Sequence, residues 1–366
     1  MILAFLSAAV LVFVPDYVIW KLYIKPSGRK LLKILWWLPT LLLILFGMGG
    51  AWGILHNFFM RAVYFLAFFS VVPKLMFALS CRLPGKKTPY IVSGISIIIV
   101  AYGIFFGFNR LSVREECFES REIPEAFDGF RIVHLSDLHV GTYFSGTMLR
   151  KICDKIRDLS PDLVVFTGDL VNVDPDETAP YAEILSEMAR PAGLLSVLGN
   201  HDYGFKKELA GAMALKMTAL ESSFGWDVLN NGHAVIRRGA DSIFVAGVEN
   251  TSRNFFISRG DLEAALEGIP EGAFTVLLSH DPSQWEDEIL PRSMVQLTLS
   301  GHTHAMQLKV FGLSPAALIF KEWGGKYLSD DGTRMINVSE GIGGIMPFRL
   351  GSWPEISVIT LRSVKR

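Results

Sequence analysis

Apolar residues fall into two regimes along this chain: long runs up to about residue 108, then short runs that alternate with helix-like patterns. Four of the long runs approach the roughly 20 residues needed to cross a bilayer. They are Ile2 to Tyr23, Ile34 to Leu55, Phe58 to Leu79 and Tyr90 to Phe108. Pro15 and Asp16 interrupt the first, so a kinked or interfacial helix is the alternative to a spanning one. That segment lacks a basic leading region and a small-residue cleavage site, so we expect it to be retained. In the second regime the periodicity predicts strands at Phe130 to Leu135, Leu163 to Thr167, Leu194 to Leu198, Ile243 to Val248, Phe274 to Ser279, Val295 to Leu299 and Ile356 to Leu361. Between them it predicts helices at Ser145 to Leu159, Tyr181 to Ala189 and Lys206 to Phe224. Alternating strands and helices indicate an α/β domain.

Charge gives this layout an orientation. Lys21, Lys25, Arg29, Lys30 and Lys33 follow the first run, and Arg82, Lys86 and Lys87 precede the fourth. Loops this dense in positive charge stay in the cytoplasm, which sends the fourth helix outward and everything after Arg110 with it. The expected location is the cell inner membrane, multi-pass, with the soluble domain on the periplasmic or extracellular side. Trp36, Trp37 and Trp52 sit near helix ends, where amphipathic rings favour the interface. The helix interiors hold almost no ionisable groups, which favours an anchor over a pump or transporter. Gly47, Gly49, Gly50 and Gly53 would permit close helix packing. We therefore divide the chain into a transmembrane anchor of about four helices over 1–112, a charge-rich connector or first edge strand over 113–124, and a soluble α/β domain over 125–366.

Composition excludes some functions. Of 35 basic and 36 acidic residues, residues 1–112 hold eleven basic and one acidic, leaving 24 basic and 35 acidic beyond them. An acidic domain repels nucleic-acid backbones, so no nucleic-acid partner is expected. Cys81, Cys117 and Cys153 are too few and too far apart for a disulfide framework or a thiolate zinc site.

The polar residues cluster where the predicted strands end. Asp137 and His139 follow the first strand, Gly168-Asp169 the second, and Gly199-Asn200-His201-Asp202 the third. His280 follows the Phe274 strand, and Gly301-His302-Thr303-His304 the Val295 strand. Alone, an Asp-x-His is common by chance, and a Gly-Asp pair is more often a turn than a ligand. Together they place five of the chain's eight histidines at strand ends, where open α/β sheets bind ligands. Carboxylates, imidazoles and an amide without cysteine suit Mn, Fe or Zn. His134, inside a strand, and His233, after the turn-like Asn230-Asn231-Gly232, read as structural or exposed and inert. Trp323 and Trp353 could wall a cleft, though such residues are more often core.

This ordered set resembles the calcineurin-like metallophosphoesterase superfamily over about residues 128 to 362. The segment Val338 to Glu355 is similar to a bacterial membrane-bound or exported branch of it. The resemblance implies a four-layer α/β/β/α sandwich and a phosphoester hydrolase with two divalent metal ions. One would be held by Asp137, His139, Asp169 and His304, the other by Asp169, Asn200, His280 and His302. A metal-bridging water would attack phosphorus, with His201 assisting the leaving group, Asp202 orienting the His201 imidazole, and Arg349 reaching the substrate phosphate. Asn172 departs from the acid often found at that family position, and the protein-phosphatase pattern is absent. Location suggests an envelope or lipid-linked phosphoester. Hydrolysis of a pyrophosphate in a nucleotide-linked lipid precursor, or a non-catalytic membrane sensor, are the competing readings.

Overall fold

The computed structural model describes residues 2–51, 56–204, 206–253 and 257–364; the side chains of 2–8, 50, 51 and 56 fall outside the description. Trp52, Gly53 and the end of the second apolar run lie outside the described residues. The chain forms two compact units, one of 1–106 with Met346–Phe348, the other of 107–345 with 349–366.

The first unit is helical: α1 (Ile2–Ile19), α2 (Lys30–Leu35), α3 (Leu38–Ala51), α4 (His56–Leu66), α5 (Val72–Ser80) and α6 (Thr88–Phe105). Among the described residues three helical stretches are long and apolar enough to cross a membrane: Lys30–Gly49, Asn57–Ser80 and Thr88–Asn109. They correspond to the second, third and fourth expected spans, and α1 is outside this set. Asp16, on α1, is buried, with Lys74 Nζ 2.7 Å away and the Thr40 hydroxyl donating to it. Lys74 also lies over the Trp36 ring, 4.8 Å from its centroid. A lone carboxylate in such apolar surroundings would be costly, and this pairing compensates its charge within the bundle.

The second unit contains two six-stranded mixed sheets. The first has the order β1 (Ser112–Ser120), β12 (Glu355–Ser363), β2 (Arg131–Leu135), β3 (Leu163–Phe166), β4 (Leu194–Ser196), β5 (Asp227–Val228). The second has the order β10 (Gly325–Leu328), β11 (Met335–Val338), β9 (Leu297–Ser300), β8 (Thr275–Leu278), β7 (Asp241–Gly247), β6 (Gly232–Arg238). Strands β2 to β5 run parallel, as do β7, β8, β9 and β11. In β3, β8 and β11 every side chain is buried, on both faces of the sheet, which is why such segments read as largely apolar runs.

Period-two alternation sends side chains of each strand to different layers. Ile132, Val165 and Val197 meet Val245, Val276 and Leu299 between the sheets. On the outer face of the first sheet, Val133, Val164 and Phe166 pack with residues of α7 (Thr147–Leu159), α8 (Ala182–Ala189) and α9 (Ala210–Ser223), among them Ile152, Leu185 and Met217. On the outer face of the second, Ala246, Leu277 and Ile336 pack with Leu262 and Ala265 of α10 (Leu262–Leu266). The result is the expected α/β/β/α sandwich.

Of the two readings of residues 113–124, the edge strand is the one observed: most of them form β1, which pairs in parallel with β12 over nine residues. One local expectation changes. Asn230-Asn231-Gly232 is no hairpin turn, since β5 and β6 belong to different sheets. His233 accordingly lies half-buried in β6, opposite Ala246 and beside the Phe244 ring.

Glu221, fully buried on α9, accepts a 2.6 Å hydrogen bond from the Ser196 hydroxyl. Burial, reinforced by the nearby Asp202 charge, holds its pKa well above the usual carboxylate range. The folded state then keeps a proton that the unfolded state releases above about pH 4.3, so this group's contribution to stability falls as pH rises towards the folded-state pKa. Glu221→Gln removes that dependence. We expect the variant to melt above the parent at about pH 8, with the difference closing as pH falls towards 4. Parallel pH dependences of Tm for the two proteins would contradict it.

Candidate metal centre

The predicted ligands emerge from the carboxyl ends of five strands: β2, β3 and β4 of the first sheet, β8 and β9 of the second. The loops after β2 and β3 stay paired beyond the strands, Asp137 N–H donating to Gly168 O and His139 N–H to Asp169 O at 2.9 and 3.0 Å. Asp137, His139, Asp169 and His304 form one group whose ligand atoms lie within 4.8 Å of each other, and Asp169, His280 and His302 form a second. Asp169 belongs to both. His304 Nε2 lies 3.2 Å from both His139 Nε2 and Asp137 Oδ1, and Asp169 Oδ2 lies 3.5 Å from His139 Nε2. In the second group, His280 Nε2 is 3.3 Å from Asp169 Oδ2, 3.1 Å from Asn200 Oδ1 and 3.3 Å from His302 Nδ1. All seven residues predicted as ligands thus converge, in the two predicted sets.

The backbone there is strained. Asp137, His139, Asp169, His302 and His304 have φ between 46° and 72°, the left-handed region that residues with a Cβ avoid. Five of the seven predicted ligands therefore carry a local cost, of order 1–3 kcal/mol each, that sites of chemistry commonly store. Glycine relieves the crowding around them. A Cβ on Gly199 would strike the Asp169 carboxylate, and one on Gly301 would strike the Ser136 hydroxyl and the Asp137 carboxylate.

Hydrogen bonds fix which ring nitrogen is offered. His139 Nδ1 donates to Asn172 Oδ1 at 3.0 Å and His280 Nδ1 to the Thr167 carbonyl at 2.6 Å, which turns each Nε2 towards the cluster, where a cation would meet it. Asn172, the departure from the family pattern, thus performs its orienting task through an amide oxygen. Its loop is held by Glu177, which accepts the N–H groups of Asn172 and Val173 at 2.6 and 3.1 Å. Glu177 went unnoticed in the sequence, although Asp174-Pro175-Asp176-Glu177 has capping-box spacing and forms that box. Asp281 was also missed: it is buried, with Oδ2 3.9 Å from His302 Nε2. Replacing Asn172 by Leu should weaken metal binding about 10- to 100-fold without unfolding the protein. Competition with a chelating dye measures this, and unchanged affinity would exclude the orienting role.

Burial lowers the pKa of His139 to about 3 and that of His302 to about 4, keeping both imidazoles neutral and able to ligate. Burial raises Asp137 to about 6. Burial also opposes charge on Asp169, but His280 and His201 outweigh it and hold this carboxyl well below the usual range. The donor set is that of hard or borderline divalent cations, with a carboxylate common to both groups, and the residues fit such ions.

His201 lies outside both groups. Its N–H donates to Asp169 Oδ1 at 2.8 Å, its Nδ1 to the Asn172 carbonyl at 2.6 Å, and its ring stands edge-on to His139 at 4.9 Å. Asp202 was expected to orient that imidazole, and here the structure corrects the sequence reading. Its oxygens accept N–H groups of Asp169, Leu170, Val171 and Gly199 at 2.8 to 3.3 Å, clamping the strained turn at Asp169. Arg349 is fully buried, and its guanidinium donates to the carbonyls of Gly343, Ser352 and Trp353. It closes its own loop rather than standing free at the surface. His134 is buried against the Thr167 hydroxyl at 2.9 Å, consistent with a core role. Trp323 and Trp353 are half-buried, and the Trp323 carbonyl accepts from the Thr303 hydroxyl at 2.6 Å.

Residues 130–306 match the family described as calcineurin-like phosphoesterase. An uncharacterized metallophosphoesterase, YkuE, of Bacillus subtilis (strain 168) is 30% identical over 272 residues, 72% of this chain and 89% of that protein. A transmembrane protein with metallophosphoesterase domain from Danio rerio is 31% identical over 73% of this chain, which spans 61% of that relative's length. The UDP-2,3-diacylglucosamine pyrophosphatase LpxG of Chlamydia trachomatis serovar D is 28% identical, over 65% of this chain and 86% of that protein. With the motif residues converging in one site and a relative 30% identical over 72% of the chain, the chain belongs to the calcineurin-like phosphoesterase family.

Proposed function

We propose that the protein is a divalent-metal-dependent hydrolase of phosphomonoesters or phosphodiesters, anchored in a bacterial inner membrane with its catalytic domain outside the cytoplasm. The observation that carries this reading is the convergence of seven ligand side chains into two groups sharing Asp169. Bound cations of the Mn, Fe or Zn type would supply Lewis-acid polarisation of a phosphoryl oxygen and acidify water. Asp137, His139, Asp169 and His304 would hold one, and Asp169, Asn200, His280 and His302 the other. His201, fixed through Nδ1, turns Nε2 to the departing alkoxide and in its imidazolium form would give up the Nε2 proton, returning to the neutral Nδ1–H tautomer. Asp202 acts through the backbone it clamps. Arg349 is left out of the substrate contacts, because loop carbonyls occupy its donors.

Hydrolysis of bis(p-nitrophenyl) phosphate and p-nitrophenyl phosphate by the full chain, with Mn²⁺ or Zn²⁺, tests the activity. Metal-dependent turnover is expected, and the preferred ester separates diesterase from monoesterase. Silence towards both, and towards phospholipid monoesters and diesters, with metal bound would favour a non-catalytic sensor. The side of the membrane is tested at Cys117, exposed on β1. A membrane-impermeant maleimide should label it in intact cells stripped of any outer membrane.

The name of the chlamydial relative favours a second reading, pyrophosphate hydrolysis in a nucleotide-linked lipid precursor. Such substrates are made in the cytoplasm, so labelling of Cys117 only after lysis would move this reading ahead.

A further inference from the structure

The segment after the last metal-ligand motif has no place in this chemistry. From Val310 to Phe320 the chain has eleven residues without a charge, flanked by Lys309 and Lys321. Both ends are fastened to the metal centre. At the start, His304, Ala305, Met306 and Gln307 are four consecutive residues with φ near +50°, a left-handed turn that launches the loop directly from a ligand. At the end, the Phe320 ring meets the His302 ring edge-on at 5.6 Å. Between them the Ser314 hydroxyl ties back to the Ala305 carbonyl at 2.6 Å.

What this frame presents to solvent is apolar. Leu313 is 73% exposed, Leu318 89%, Ile319 59%, and Phe311 completely. Val310 and Leu313 exchange both backbone hydrogen bonds, making a tight hairpin whose two central residues, Phe311 and Gly312, have φ of 52° and 81°. That turn normally takes Asn, Asp or Gly at its first central position, because positive φ crowds a Cβ. Here a phenylalanine accepts the backbone strain and full exposure together, with no packing return within the domain.

The geometry points to a bilayer-inserting loop: Phe311, Leu313 and Leu318 enter the acyl region of the membrane beside the metal centre, with the ion pairs of Lys309 with Glu340 and of Lys321 with Glu286 marking the polar boundary of the loop. Three observations select a bilayer over other occupants. The apolar surface is a convex tip led by an aromatic residue, suited to wedging between lipids. The uncharged stretch, bounded on both sides by ion pairs, matches the polarity profile of an interface. The start of the domain is also held near the bilayer by chain length alone, since only Arg110 and Leu111 separate the membrane-length stretch Thr88–Asn109 from β1 at Ser112. Two residues extend at most about 7 Å. The inference concerns the loop's environment and stands apart from the catalytic reading; combined with that reading, it directs the site to phosphoesters carried on lipid headgroups.

Spin labels on the full chain in lipid nanodiscs test it. In a background with Cys81, Cys117 and Cys153 replaced by alanine, Phe311→Cys, Leu318→Cys and, as a control, Leu215→Cys on α9 are each labelled; Leu215 is 74% exposed. Collision with oxygen, which concentrates in acyl chains, is compared with collision with a water-soluble nickel chelate. Labels at 311 and 318 should be severalfold better protected from nickel than the control and more accessible to oxygen. Nickel accessibility equal to the control at both positions would overturn the proposal. So would dipolar broadening between labels at 311, which would assign the surface to a second copy of this chain.

Discussion

Asp169→Asn should abolish most of the activity, lowering kcat/KM by more than about 10³-fold, and should empty the metal centre of much of its bound Mn²⁺ or Zn²⁺. The reasoning is geometric. Asp169 is the one carboxylate common to both ligand groups, with Oδ2 3.5 Å from His139 Nε2 and 3.3 Å from His280 Nε2. Losing its charge weakens both cation positions, an effect larger than the 10- to 100-fold expected for partners one step removed, such as Asn172. Asparagine is the informative replacement because its oxygen can still accept the His201 N–H that Asp169 Oδ1 receives. The turn should therefore survive while the charge is lost. Steady-state kinetics and metal content by mass spectrometry read the two effects together; a variant with full metal content and full turnover would rule out the shared-carboxylate assignment.

His201→Ala should behave differently: turnover falls by about 10²–10⁴-fold while bound metal stays at the parental level. The imidazole belongs to neither ligand group, and its Nδ1 is committed to the Asn172 carbonyl, so only Nε2 can serve a leaving group. The loss should be greater for an alkyl ester than for a p-nitrophenyl ester, because a poor leaving group depends more on a proton. Equal losses on both esters would assign His201 to charge stabilisation, and unchanged rates on both would remove it from the mechanism. Asp202 cannot be tested as cleanly, since its four backbone hydrogen bonds hold the Asp169 turn and its loss disturbs the ligands directly.

The contrast between Asp202 and the ligands shows where sequence reading stops. A ligand is legible because the residue type itself carries the donor atom, and because parallel strands deliver successive ligands to one sheet edge. The runs that become β2, β3, β4, β8 and β9 mark those edges, and the Asp, Asn and His residues follow them directly. The chain thus determined by itself the apolar helical portion, the α/β character of the rest and, through its motifs, the cluster of side chains able to hold metal ions. An orienting partner is a different matter. His139 pairs with Asn172 and His280 with Thr167, 33 and 113 residues away, so the register of strands and loops decides the partner.

The same distinction covers the remaining differences. A charge-rich segment became β1 because β12 offered it an edge, although the two lie more than two hundred residues apart. Arg349 turned inward because the carbonyls of Gly343, Ser352 and Trp353 converge where its guanidinium lies. Asp16 and Lys74, isolated blemishes in two apolar runs, proved to be one ion pair. Residue type and local period fix which atoms are available and which segments are helix or strand, because both are properties of a few neighbouring residues. Hydrogen-bond partners, left-handed φ at the ligands and the exposure of Phe311 depend on contacts between distant segments, and only the packed tertiary structure brings those together.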